Sequence, residues 1–170
     1  MGKGNRPVFH EKEKMVDDPK LVDMPKKYLV GIVGTGESVL DLDIPGLWAR
    51  FIEYENEIKR KIEGVGYELH IEEEIEPTMH FCLVGVAVEK IKKLPLELFA
   101  KVIPAGEYAV FTHQFSEGDF GEAFKAVYAW IDTSEYETAF AFDIQCYDER
   151  YKGPSDPTSV IEIMVPVKPK

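Results

Sequence analysis

The chain has 170 residues, 45% of them hydrophobic and 12% aromatic, enough to bury one sizeable core in a single domain or in two small modules that share it. Its 31 acidic residues outnumber the 20 basic ones for a formal net charge of -11, and with no basic patch in view direct binding to nucleic acid is not expected. The same balance suits a cationic small molecule or a basic protein partner.

Residues 1–23 carry no sustained apolar period and are expected to form a flexible arm, with one folded domain over 24–170. The arm is polar and charged, unlike a secretory signal, and no apolar run reaches membrane-spanning length. Cys82 and Cys146 each fall inside an apolar strand pattern, where a reduced thiol behaves as a small hydrophobe. A cytoplasmic protein without membrane contact is expected.

The first strand is the β-rich run 28–33. The glycines Gly31, Gly34 and Gly36 that punctuate it do not have dinucleotide or P-loop spacing. Asp43 caps a helix with Pro45 in its first turn, and Leu47, Trp48, Phe51, Tyr54, Ile58 and Ile62 recur at helical spacing, which predicts a helix over 44–62 closed by Gly64. Trp48 reads either as core or as the rim of a pocket, since a buried indole N–H needs a partner. Two strands follow, over 67–71 and 81–89. His70 and His80 flank an acidic loop that includes Glu72, Glu73, Glu74 and Pro77, but their spacing fits no metal motif and reads as a solvated charge run.

The second half opens with a strand over 108–113. Asp119 and Glu122 cap a second helix through about residue 131, with Phe120, Ala123, Phe124, Val127 and Ile131 on one side. His113 and Ser116 lack the strand-turn-helix elbow of a nucleophilic serine, and the tripeptide at 119–121 lacks every other kinase element. Residues 139–149 alternate: Phe140, Phe142, Ile144 and Cys146 share one face, Asp143, Gln145 and Tyr147 the other. That polar face is either the wet side of a sheet or the wall of a site. A last strand spans 160–167, whose parity allows Glu162 and Met164 to join the polar face.

The order strand, helix, strand, strand thus occurs twice, in modules of about 24–95 and 96–168. Neither half closes a core alone. The pattern predicts an α+β fold in which two modules join an antiparallel sheet, place both helices on one face, and leave a groove at the pseudo-twofold axis.

Residues 103–113, 147–151 and 160–167, with the strand 81–88 and Trp48 in the first helix, resemble the GyrI-like small-molecule-binding domain, found as the effector-binding part of AraC-type and MerR-type regulators. The resemblance implies a groove for amphipathic or cationic organic ligands, of the multidrug-binding type, with a glutamate on the penultimate strand. Aligned on residues 147–150, Gln145 takes that glutamate's place; a shift of two puts Asp143 there, and a tyrosine common in the last strand is Met164. The ligand-contacting candidates are Trp48, Phe81, Tyr108, Asp143, Gln145, Tyr147, Glu162 and Met164. No helix-turn-helix pattern accompanies them, which points to a standalone bacterial binding module without cofactor, metal or catalytic residue. The alternatives are a hydrolase of small electrophilic compounds that uses a groove carboxylate such as Asp143 or Glu162, and a protein-interaction module of gyrase-inhibitor type.

Overall fold

The computed structural model describes residues 18–73 and 78–170. The expected loop residues Glu74 and Pro77, and the first 17 residues of the expected arm, lie outside the described residues. The first run comprises β1 (Lys20–Met24), β2 (Lys27–Gly36), α1 (Ile44–Glu55), β3 (Lys61–Glu73) and β4 (Met79–Val88). The second comprises β5 (Phe99–Ile103), β6 (Gly106–Gln114), α2 (Phe120–Thr133), β7 (Tyr136–Thr138), β8 (Phe142–Tyr147) and β9 (Val160–Pro169).

Local chemistry sets the helix starts. Asp43 accepts a hydrogen bond from the Gly46 amide at 3.0 Å, and Asp119 accepts from the Gly121 amide at 2.7 Å. Leu47 and Phe51 on α1, and Ala123, Val127 and Ile131 on α2, turn toward the sheet at helical spacing. α1 stops at Glu55, short of the expected residue 62. Ile58 folds back into the core, and Arg60 adopts a φ of 59°, which sends the chain into β3 at Lys61. Ile62 and Gly64 therefore belong to a strand, and Gly64, at a φ of 95°, lies in the register shift between Lys61 and Gly66.

All strand pairs are antiparallel, in the order β1-β6-β9-β8-β3-β4-β2-β5, with β7 on the far end of β9. The two halves meet at β3 and β8. They also exchange strands: β1 leads into β2 but pairs with β6, and β5 leads into β6 but pairs with β2. β1 includes four residues of the expected arm, which show no apolar period because of the five side chains only that of Met24 is half-buried.

Three apolar clusters divide the core. One lies under α1 (Leu47, Phe51, Val30, Ile32, Val84), another under α2 (Val127, Ile131, Phe111, Ile161, Ile163). The third, with Leu29, Tyr67, Leu69, Ile144 and Met164, lies on the face without helices. It is buried because the sheet curls over it: Met24 and Ile103, from strands at opposite ends of the order, line the same small cavity. Gly31 and Gly85 face each other between β2 and β4, where a Cβ on Gly31 would stand 2.0 Å from the Val84 carbonyl oxygen. Close backbone approach, not phosphate binding, uses that glycine.

Candidate functional site

The seam between β3 and β8 lays out the groove. Gly66 stands opposite Tyr147 at one end, Glu68 opposite Gln145 in the middle, and His70 opposite Asp143 at the other end. The odd residues of β3, Tyr67 and Leu69, point with Ile144 and Cys146 into the core of the curled face, so these polar residues point toward the helices.

The first end is filled. Trp48 crosses over Gly66, where a Cβ would come within 2.9 Å of its ring, and meets Tyr147 edge-on at 6.2 Å. Its indole N–H donates to Glu68 Oε1 at 2.7 Å. Tyr147 donates to Gln145 Oε1 at 2.8 Å and packs against Tyr151 at 4.9 Å. Burial raises the Tyr147 phenol far above its ordinary 10, and the neighbouring Glu68 carboxylate adds to the shift.

The middle holds a carboxylate that the sequence reading passed over. Glu68 is 5% exposed, and its second oxygen lies 3.4 Å from His70 Nε2. His70 Nδ1 in turn lies 3.0 Å from His80 Nε2, so the two histidines read as a solvated pair are buried partners. Burial and the proximity of His70 lower the His80 pKa. Cys82 Sγ lies 3.7 Å from His70 Nε2, but burial pushes this fully enclosed thiol up, away from nucleophilic use. Glu68 has the same signal as Asp143 and Gln145, a polar residue on one parity of an otherwise apolar strand.

The second end is open. A pocket of about 340 Å³ is lined by His70, His80, Tyr128, Phe140 and Asp143, with Glu72 and Thr138 also in its wall. Tyr128 reaches down from α2 and donates to Asp143 Oδ2 at 3.1 Å, while Asp143 Oδ1 is shut off from solvent and has no partner. Burial raises the Asp143 pKa above its ordinary 3.8; His70 and the Tyr128 hydroxyl oppose that shift, and Glu72 adds to it. Phe140 and Phe142 stack at 6.0 Å and 15°, across a turn that starts β8 at Phe142, later than the expected residue 139. Among the described residues no group of three or more side chains is arranged to hold a metal ion.

Of the eight candidates, Trp48, Asp143, Gln145 and Tyr147 therefore share the groove. The other four lie elsewhere. β8 and β9 pair Ile144 with Met164 and Cys146 with Glu162, which puts Glu162 and Met164 on the opposite face. The parity of β9 alone could not show this, because the register across the pair fixes which face a parity meets. Glu162 is held by Arg150 Nη2 at 3.0 Å, in an ion pair that Arg150 shares with Asp148. Tyr108 is core: 1% exposed, donating to the Pro104 carbonyl at 2.8 Å, its phenol pushed up to about 12 by burial. Phe81 lines a shallow apolar depression with Leu69, Leu83 and Phe99 on that same far face.

The family model of the GyrI-like small molecule binding domain matches residues 17–168. The chain belongs to this family. Its sequence is 31% identical over 151 residues to the transcriptional regulator BrlR of Pseudomonas aeruginosa, covering 87% of this chain and 54% of the regulator, so the chain spans about half of that relative's length. In fold it is similar to SAV2435 bound to tetraphenylphosphonium, at a TM-score of 0.67 and 18% identity over 89% of this chain and 94% of the other. It is also similar to the EcmrR C-terminal domain, at a TM-score of 0.62 and 16% identity over 91% and 99% of the two chains. This GyrI-like domain has no helix, among its described residues, long and apolar enough to cross a membrane.

Proposed function

We propose that this GyrI-like domain is an effector-binding module of transcription regulation, and that it takes an amphipathic organic cation into the open end of its groove. The observation that carries the reading is Asp143, a desolvated carboxylate with one oxygen unpartnered at the wall of a pocket of ligand size. A cation beside it restores the interaction that burial removed, and the Tyr128 and Phe140 rings offer faces to the apolar and cationic parts of the same molecule. Glu68 stands directly opposite Gln145, so the carboxylate expected on the penultimate strand has its counterpart on the other module, across the axis. It holds Trp48 in place and adds negative potential to the floor. The likeness to SAV2435, which is bound to a lipophilic cation, supports the same ligand class. With a net charge of -11, this reading assigns DNA contact to no surface of the chain.

The test is calorimetric titration with tetraphenylphosphonium and with neutral triphenylphosphine oxide. Asp143→Asn should weaken the cation by roughly 1.5–3 kcal/mol, tenfold or more in Kd, and leave the neutral compound nearly unchanged. Equal affinities of wild type and variant for the cation would sink the proposal.

A further inference from the structure

A second cavity, of about 320 Å³, lies at the far end of β6, with Tyr151 between its wall and the filled end of the groove. His113 forms its floor at 2% exposure, with Nδ1 unpartnered. Phe115 and Phe120 stand over it, at 5.8 and 5.7 Å from the imidazole and 6.4 Å from each other. Pro154 and Pro157 close the other side.

The enclosure is built rather than incidental. The Phe115 and Ser116 amides donate to the Ser159 and Pro157 carbonyls, each at 2.9 Å, and fully buried Ser159 ties the same loop together by donating to the Gly153 carbonyl at 2.8 Å. Phe115 is braced by Tyr151 at 5.9 Å, and Phe120 by Phe124 at 5.0 Å. The corresponding position of the first module is filled. Counted from the strand starts, His113 on β6 corresponds to Gly34 on β2, and the space above Gly34 is taken by Leu47.

The chemistry of the walls selects the occupant. A buried histidine whose Nδ1 is shut off from solvent without a partner lacks a hydrogen bond that a ligand in the adjoining cavity can supply. Burial lowers its pKa, against the opposing pull of Glu117 and Asp119, so the imidazole is poised to accept from an N–H. Glu117, Asp119 and Asp156 surround the site, while Lys152 and Lys125 offset part of that charge from the Asp156 and Asp119 sides. An anion is disfavoured there, and flat rings with a positive charge match aromatic faces.

We propose that this pocket is a second binding site, for a flat aromatic amine that bears one positive charge and donates one N–H to His113 while its ring packs against Phe115 and Phe120. The site stands independently of the groove reading.

The experiment is a titration of the full chain, with histidine rings isotopically labelled, by tryptamine, with indole-3-acetate as the anion of like shape. His113 is assigned from the signal missing in His113→Phe. Tryptamine should shift the His113 resonance saturably, and indole-3-acetate should bind at least about tenfold more weakly. His113→Phe keeps an aromatic ring and removes the unpartnered Nδ1 along with the other ring nitrogen, so it should fold and lose about tenfold in tryptamine affinity. Phe120→Ala should lose a similar factor, whereas Asp143→Asn should leave tryptamine binding at His113 unchanged. The proposal is overturned if tryptamine shifts only His70 and His80, if it shifts no histidine up to its solubility limit, or if His113→Phe and Phe120→Ala both bind it like wild type.

Discussion

Replacing Asp143 with asparagine should stabilise the empty protein while it weakens the cation complex. One carboxylate oxygen accepts from the Tyr128 hydroxyl, but the other is shut off from solvent and has no partner. An unsatisfied buried acceptor costs about 1–3 kcal/mol, and more when it carries charge. The sign with pH follows from the direction of the shift. Burial raises the folded-state pKa of Asp143 above its ordinary 3.8, so the fold holds this proton more tightly than the unfolded chain does. That contribution is fully present below pH 3.8 and is lost as pH rises through the raised value. Asparagine keeps an acceptor for Tyr128 and never ionises. Urea unfolding of wild type and Asp143→Asn should therefore agree in midpoint at low pH and diverge as pH rises toward neutrality, with the variant ahead by about 1–3 kcal/mol at the top of the window. Adding tetraphenylphosphonium at neutral pH should narrow or reverse the order, because only wild type gains from the cation. A difference that stays constant across the pH range, or a variant less stable at neutral pH, would refute the reasoning.

Gly66→Ala places a methyl within 2.9 Å of the Trp48 ring and should cost about 1–3 kcal/mol with a change in tryptophan emission; unaltered emission and stability would mean the ring does not rest there. Glu68→Ala leaves the Trp48 N–H without its acceptor and should lose about 1–3 kcal/mol in urea unfolding, whereas Glu68→Gln, which still offers an oxygen, should lose less; equal losses would show that the charge matters and the hydrogen bond does not. Deletion through Met24 removes β1 from β6 and uncovers the cluster around Ile103 and Tyr108, so it should cost more than about 2 kcal/mol; a truncated protein as stable as the full chain would show that β1 adds nothing to the fold.

Periodicity alone determined much of this protein. Helical spacing around Leu47 and Phe51 and around Ala123 and Val127 placed both helices, and alternation along 142–147 put Asp143, Gln145 and Tyr147 on one face, because side-chain direction along an element is a local property. The doubled order of elements gave the α+β class and the axis between halves. Register and curl are not local, and there the tertiary structure decided. Glu162 and Met164 have the parity of a groove residue, but the pairing of Ile144 with Met164 turns them to the other face, where Arg150 occupies Glu162. Tyr108 is polar enough for a site until the sheet curls over it. Lys20 to Met24 carries no buried stripe and becomes a strand only because β6 offers it a free edge. The groove's own carboxylate, Glu68, became visible only when β3 lay beside β8, since a charged residue in an apolar strand acquires its meaning from the side chains the fold brings to it.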